Sequence, residues 1–324
     1  MTDSDAILLK RIVSEVRSYR GIRRKSDIAA LSSLIAGNSG RVIAAKGEDG
    51  AVLSMGGSKL VFAADGIMED LVDRDPKWAG YCSVLVNVND MLAMCAEPIA
   101  AVNVISAKDR ETLAKIVSGM NEACEKFDVQ MVGGHLHPDA NHNEISVSML
   151  GEVRSKAPLL STTAKPGDAV VVICDCKGKF TPGLPYSWDC TSARGRKETK
   201  AITVKLLDAL QNLSSGKDIS NPGILGTLAM LLESSGTGAD IEIAKIPIPD
   251  GIDLLQWLKA YQGLGFIGTI KESKIKAISA ELKGSGMNFA VIGKVTKSKK
   301  LIIRLGESEQ LLFNLASEKI TGLF

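Results

Sequence analysis

Apolar residues recur at helical spacing along several stretches of the chain. After Asp109, apolar side chains repeat at the i, i+3, i+4 and i+7 positions as far as Phe127, which predicts an amphipathic helix with one buried face. Asp75 followed by Pro76 is a good helix start, because the carboxylate caps the first turn and proline fits there. Helices are predicted at residues 4–20, at 26–37, from 76 into the 91–96 region, at 109–127, 196–213 and 224–234, and near 274–283.

Other stretches have the pattern of strands. Residues 144–153 alternate apolar and polar side chains, which predicts a half-buried strand, and residues 169–174 form a continuous apolar run typical of a buried one. Because strands and helices mix without strict βαβ alternation, the pattern predicts an α+β protein. Strands are predicted at 41–45, 51–55, 60–64, 99–106, 144–153, 169–174 and 289–295.

The length and the linker composition predict the domain organisation. A chain of 324 residues exceeds the roughly 250–300 residues at which single cores stop growing. Residues 155–168 are rich in Ser, Thr, Lys and Pro and read as a boundary. We therefore expect an N-terminal helical segment at 1–37, a first domain at 38–155 and a second at 156–324.

Composition excludes several classes of partner. The net charge is +2, from 39 basic and 37 acidic residues, and aromatic residues make up 4%, so neither nucleic acid nor an anionic membrane is expected as a partner. The longest apolar run has six residues, 169–174, against the roughly 18 that a membrane-spanning helix needs. Six cysteines without a secretion signal predict reduced thiols and a cytoplasmic protein.

Four aspartates stand where a carboxylate is costly unless it is paired or binds a cation. One lies between two predicted strands, one ends an apolar strand, one interrupts the apolar run 84–96, and one precedes a helix start. Each alone also fits a turn, a polar helix face or a cap. Together they indicate a site for Mg²⁺, which prefers carboxylate oxygens and accompanies substrate phosphates. These residues are Asp49, Asp65, Asp90 and Asp218.

Several familiar motifs are missing from the sequence. No G-x-x-x-x-G-K-[ST] segment is present, Gly236–Gly238 lacks a third glycine for a dinucleotide fingerprint, and no C-x-x-C pair suggests structural zinc. His135, His137 and His142 lie close together in a predicted loop. They are able to bind a metal, but a solvated loop is the plainer interpretation.

A series of motifs resembles one known superfamily. Gly47–Leu53 (GEDGAVL) resembles its G-D-D-A-A-V segment, Ala64–Gly66 its strand-end aspartate, Val88–Pro98 (VNDMLAMCAEP) its V-N-D-x-x-x-x-G-A-E-P helix, and Gly133–His135 its G-G-[DEH] turn. The superfamily is that of aminoimidazole ribonucleotide synthetase. It includes formylglycinamidine ribonucleotide synthetase, selenophosphate synthetase, thiamine-monophosphate kinase and the hydrogenase-maturation dehydratase. The overall pattern is similar to its archaeal methanogenesis marker protein 2 branch.

This resemblance implies a fold and a site. The fold would have two α+β domains, with an N-terminal mixed sheet that pairs across a homodimer and a C-terminal α/β sandwich. ATP and Mg²⁺ would lie in the cleft between the domains. The four aspartates would be metal ligands, and the nucleotide site would include Glu48, Gly66, Asn89, Gly133, Gly134, His135 and Asn221. A basic stretch on a mobile N-terminal lid would contact phosphates, although a solvated basic face fits it as well; it comprises Arg20, Arg23, Arg24 and Lys25.

The activity implied by the resemblance is ATP-dependent phosphoryl transfer to a small molecule, or its activation as a phosphate. Two features depart from the family pattern. Asn221 stands where kinase-like members have a second Asp, and no Cys precedes Cys82, where selenophosphate synthetases carry a reactive residue. A non-catalytic nucleotide-binding or assembly subunit is therefore the alternative. The loop at 177–195 is a candidate for substrate specificity, or an ordinary surface loop.

Overall fold

The computed structural model describes residues 2–35 and 39–324, and its N-terminal half is built on a six-stranded mixed sheet. The strands are ordered β1-β2-β3-β6-β4-β5, and among those described β4 and β5 are the parallel pair. Their bounds are β1 (Val42–Ala44), β2 (Ala51–Met55), β3 (Ser58–Gly66), β4 (Ala96–Ser106), β5 (Gln130–His137) and β6 (Glu144–Val153).

Helices α3 (Glu69–Arg74), α4 (Pro76–Ala93) and α5 (Arg110–Phe127) complete this half. The predicted cap is present, since Asp75 Oδ1 accepts a hydrogen bond from Trp78 N at 2.9 Å. Helices α4 and α5 pack closely, because a Cβ on Gly119 would lie 1.9 Å from the carbonyl oxygen of Lys77. This packing buries α4 and places its polar residues inside the molecule.

The C-terminal half is built on a seven-stranded sheet in the order β10-β12-β7-β13-β11-β14-β15. The predicted strand 169–174 is an inner strand of this sheet and is buried along its whole length. Its strands are β7 (Ala169–Cys174), β10 (Ser215–Asp218), β11 (Gly238–Glu242), β12 (Gly265–Ile270), β13 (Asn288–Thr296), β14 (Lys300–Leu305) and β15 (Ser308–Asn314), with the small pair β8 (Lys179–Phe180) and β9 (Trp188–Asp189) beside it. Its helices are α6 (Arg196–Leu210), α7 (Gly223–Ser235), α8 (Leu254–Trp257) and α9 (Ile275–Glu281).

The first helix of the N-terminal segment packs against the C-terminal half. Helix α1 (Thr2–Ser18) lies against β14 and β15, with Leu9, Ile12 and Val16 buried. Arg17 also pairs with Glu318 at 2.7 Å. The apolar face of α1 is therefore part of the core in this structure, and the lid that the resemblance implies stays a prediction.

Residues 20–31 follow α1 and lie over the junction between the halves. They form α2 (Arg20–Arg23) and a 3₁₀ helix (Arg24–Leu31), so helical structure begins earlier than the predicted 26–37. Positions 36 and 37 of that prediction lie outside the described residues. Helix 4–20 agrees with α1 within two residues at each end.

The α+β class and the two-domain architecture predicted from the sequence are confirmed. Strands β14 and β15 were not predicted, and the expected loop around His135 and His137 is strand β5. Within residues 2–35 and 39–324, no helix has the length and apolar character that crossing a membrane would require.

Candidate functional site

Three carboxylates meet where the two halves join. Asp49 comes from the loop before β2, Asp90 from the buried helix α4, and Asp218 from the end of β10. One oxygen of each lies within 4.8 Å of the others. We call these residues the acidic cluster. Because both halves contribute to it, the cluster exists only when the two sheets are docked.

A cavity of about 460 Å³ opens beside the acidic cluster. Asp218 joins it to the cluster, and Asp65 lines it from the end of β3. Within the sheet Asp65 pairs with the buried Val147, so its side chain lies on the inner face. We call this space the acidic cavity; its polar lining comprises Arg24, Lys25, Asp27, Asp65, Asn89, Asp218, Ser220, Asn221, Tyr261 and Gln262.

Burial makes these carboxylates costly to ionise. It raises the pKa of Asp90 and of Asp218 well above the ordinary range, and neighbouring carboxylates add to the effect. Burial also raises the pKa of Asp65 to about 6, against the attraction of Lys25. Two carboxylates about 4 Å apart repel by roughly 4 kcal/mol at an effective dielectric constant of 20. A cation bound between these carboxylates would reduce both the cost of burying their charges and the repulsion between them.

Two lysines lie near these carboxylates. Lys217, in β10, is 3% exposed; its ammonium donates to the Asp49 carboxylate and, at 3.2 Å, to the Gly47 carbonyl. Burial lowers the pKa of Lys217, but Asp49 outweighs this and leaves it raised. Lys25 enters from the 3₁₀ helix; burial lowers its pKa, and Asp65 and Asp218 oppose that.

Glu48 joins the two halves of the molecule. Its carboxylate accepts hydrogen bonds from the Ser161 amide at 2.6 Å and from the Thr162 hydroxyl at 3.0 Å. These bonds tie the loop before β2 to the start of the C-terminal half. A contact between Glu48 and a cofactor stays a prediction.

The two asparagines of the prediction both line the acidic cavity. Asn89 is 1% exposed; its Nδ2 donates to the Gly263 carbonyl at 3.0 Å, while its Oδ1 has no partner among the described residues. Asn221 Nδ2 donates to the Met68 sulfur at 3.4 Å and is not a member of the acidic cluster. Asn221 Oδ1 is likewise buried without a partner among the described residues. Unpartnered oxygens in the lining of a cavity that Asp218 shares fit a hydrated Mg²⁺, which takes oxygen ligands and keeps waters.

The remaining glycines and the histidine divide between two places. Gly66 lines the acidic cavity. Gly133, Gly134 and His135 lie on the exposed edge strand β5, and His135 pairs with Val104 on the face of the sheet opposite to Asp65. Within one chain these three residues do not line the acidic cavity, so their predicted contact with a cofactor has no counterpart there.

A second cavity of about 270 Å³ adjoins the first and shares with it Arg24, Met68, Asn221 and Tyr261. We call it the basic cavity. Residues 183–187, from the loop that the sequence singled out for specificity, form one of its walls. In the described part of the chain, its arginines have no carboxylate within 4 Å; they are Arg20, Arg24 and Arg74.

The four predicted phosphate contacts line three adjoining spaces. Arg24 and Lys25 line the acidic cavity, and Arg20 and Arg24 line the basic one. Arg23 faces another groove, between the N-terminal segment and residues 313–320, which Arg20 and Arg24 also line. Lys217 was missed by the sequence analysis, and its only signal is a lysine placed directly before Asp218.

Comparison with known proteins places the chain in a family. Residues 47–153 match the model of the AIR synthase related protein, N-terminal domain, and residues 165–306 match that of the C-terminal domain. The chain belongs to the AIR synthase related family. All four predicted aspartate ligands lie inside these matched regions, and Arg20 to Lys25 lie before them.

Relatives in this family include both uncharacterised proteins and kinases. An uncharacterized protein of Methanocaldococcus jannaschii is 39% identical over 321 residues, which is 97% of this chain and 99% of that protein. Thiamine-monophosphate kinase of Methanospirillum hungatei is 29% identical over 246 residues, or 72% of this chain and 82% of the kinase.

Among solved structures, PurL of T. maritima in complex with AMPPCP matches with a TM-score of 0.72 at 16% identity. The match covers 94% of this chain and 50% of the PurL chain, so this protein spans about half the length of that one. At this identity the likeness shows the fold alone.

Proposed function

We propose that this protein transfers the terminal phosphoryl group of ATP to a small molecule, with Mg²⁺ bound at the acidic cluster. The observation that carries the proposal is the meeting of three carboxylates, from both halves, within 4.8 Å of one another beside a cavity. Buried carboxylates in this number need a cation, and Mg²⁺ with nucleotide phosphates is the partner that such oxygens favour. The kinases among the relatives support the same class of reaction.

Each part of the acidic cavity has a place in this reaction. Asp90 and Asp218 would hold the cation, with the free Oδ1 of Asn89 accepting from one of its waters. The bound cation would neutralise charge on the transferred phosphoryl group. Arg24 and Lys25 approach from the N-terminal segment and would attract the phosphates. Catalysis of this kind consists mostly of positioning and charge neutralisation.

The basic cavity is the place we assign to the acceptor molecule. It adjoins the acidic cavity, and its three guanidinium groups outnumber its one carboxylate, Asp70, so that the lining favours an anionic acceptor. During transfer the bond between the γ-phosphorus and the ADP oxygen breaks, a bond to an acceptor oxygen forms, and the acceptor's proton leaves to water. The product is either released as a phosphate or kept as an activated intermediate.

The position of Asn221 favours an active enzyme over a non-catalytic subunit. The replacement of an Asp there was the reason to consider a lost metal ligand. The acidic cluster is complete without residue 221, which lies in the wall between the two cavities. The departure from the kinase pattern therefore changes the lining of that wall and leaves the three clustered carboxylates in place.

We also propose that the protein is a homodimer joined through the N-terminal sheet. The outer face of this sheet, opposite the face on which α4 and α5 pack, exposes Phe62, Val102 and Val104. Val104 alone is 45% exposed, and small side chains such as Ser146 and Ser148 surround these residues. A flat apolar face of this kind is typical of an interface. A second copy of the chain would cover it and would also bury His135.

Calorimetric titration with AMPPCP tests the proposal. We expect wild-type protein to bind it with Mg²⁺ and to lose at least tenfold in affinity without Mg²⁺. Asp90→Asn and Asp218→Asn should lose this dependence while circular dichroism shows an intact fold. Asp139→Asn, in the exposed loop after β5, is the matched control and should bind as wild type does.

Two results would count against the proposal in different ways. No binding by the wild-type protein at millimolar AMPPCP with Mg²⁺ would remove the nucleotide site altogether. Mg²⁺-dependent binding of ATP without hydrolysis, and without transfer to any of a panel of small alcohols, carboxylates and phosphates, would favour the non-catalytic alternative.

A further inference from the structure

The ammonium group of Lys217 lies at the acidic cluster. It is bound to the Asp49 carboxylate, one member of the acidic cluster, and to the Gly47 carbonyl at 3.2 Å. Gly47 has φ +79°, a left-handed conformation that glycine adopts without strain, and this turn directs its carbonyl to Lys217. Strand β10, paired along its whole length with β12, fixes the other end of the contact.

The charges at the junction can be counted. Five carboxylates and two ammonium groups lie near one another here, so three negative charges remain uncompensated when all are ionised. One divalent cation would compensate two of them. The exposed Arg24 is left out because solvent screens its charge. The groups counted are Glu48, Asp49, Asp65, Asp90, Asp218, Lys25 and Lys217.

We propose that Lys217 is a built-in cation of the acidic cluster that takes the place of a second divalent ion, so that the site binds one divalent cation per chain. This inference rests on the proposed function, which supplies the cation site itself. Two buried, unpartnered amide oxygens, Oδ1 of Asn89 and of Asn221, belong to residues that line the acidic cavity with Asp218, and waters of the single ion would bind to them. Asp49 then serves chiefly to hold Lys217, although the sequence counted it among the metal ligands.

A lysine side chain, unlike a bound metal ion, cannot dissociate from the site. Its tether keeps the charge in the site before any ligand arrives, and the Asp49 carboxylate is buried with it rather than left uncompensated. A divalent ion at Asp49 would lie beside the Lys217 ammonium, which is bound to Oδ1 of the same carboxylate and would repel the ion. The two cations therefore compete at Asp49, and removing Lys217 should admit a divalent ion there.

Counting bound Mn²⁺ tests this, by electron paramagnetic resonance of the free ion in metal-stripped, nucleotide-free protein. We expect one Mn²⁺ per wild-type chain and two per chain in Lys217→Met. The double variant Asp49→Asn/Lys217→Met removes the opposite charges together, so it should return to one Mn²⁺ per chain. Lys126→Met, on α5 outside the acidic cluster, is the control and should still bind one Mn²⁺ per chain.

The possible results separate the two proposals. Two ions in the wild type, or one ion in Lys217→Met, would overturn the role of Lys217 and leave the cation site standing. No ion in the wild type would overturn the cation site and with it the proposed function. If Lys217→Met fails to fold without metal, the inference requires Mn²⁺ to restore its circular dichroism spectrum, and failure to do so would contradict it.

Discussion

Replacing Asp65 by asparagine should stabilise the metal-free protein near neutral pH. Burial raises the pKa of Asp65 from 3.8 to about 6, so the folded chain holds this proton more tightly than the unfolded chain. A raised carboxyl pKa contributes stability below about pH 4 that is lost as the pH rises through about 6. With each pKa unit worth about 1.4 kcal/mol, roughly 3 kcal/mol is lost by pH 7.5. Asparagine carries no charge, so the variant keeps this stability.

Urea unfolding in EDTA, followed by circular dichroism at pH 7.5 and pH 4.0, measures the effect. We expect Asp65→Asn to raise the free energy of unfolding by up to about 3 kcal/mol at pH 7.5 and to change it little at pH 4.0. Asp139→Asn, on an exposed loop, should have no such pH-dependent effect. A gain of the same size at both pH values, or a loss at pH 7.5, would refute the electrostatic reasoning.

Two further substitutions test the packing. Val104→Asp on the outer sheet face should convert the proposed dimer to a folded monomer in sedimentation velocity, whereas Val204→Asp, at a similarly exposed valine of α6, should not; a monomeric wild type would contradict the dimer. Gly119→Ala should lower the free energy of unfolding by about 1–3 kcal/mol in urea, because its Cβ would meet the Lys77 carbonyl at 1.9 Å. Stabilisation by that substitution, as helix propensity alone would favour, would show that α4 and α5 separate easily.

The parts of the fold that the sequence predicts best are those governed by local rules. The helix after Asp109 has its cap and its apolar face in the predicted places, because hydrophobic spacing decides both. The metal candidate Asp90 also stands out locally, as a carboxylate within an apolar run, whereas Asp218 is marked only by the helix start that follows it. Strand β5 was missed since its exposed edge position removes the alternation of apolar and polar residues that marks a strand.

The contacts that a sequence cannot supply are those between distant segments. Glu48 and Asp49 are neighbours in the chain with the same kind of side chain, and nothing local distinguishes them. When the two halves dock, Glu48 accepts hydrogen bonds from Ser161 and Thr162, and Asp49 accepts one from Lys217. Lys217 lies in a short polar stretch typical of a surface residue. Its partner is 168 positions away, so nothing local shows the contact.

The electrostatic cost of the site is concentrated at the junction of the two halves. Asp49 and Asp90 belong to the first half and Asp218 to the second, so docking brings together carboxylates that repel. Lys217 offsets part of that repulsion across the same junction, and the hydrogen bonds of Glu48 add a second tie. A cation bound at the cluster would offset the rest, and by mass action it would stabilise the docked arrangement over the unfolded chain. The carboxylates that repel one another in the metal-free protein would therefore also link cation binding to the docking of the two halves.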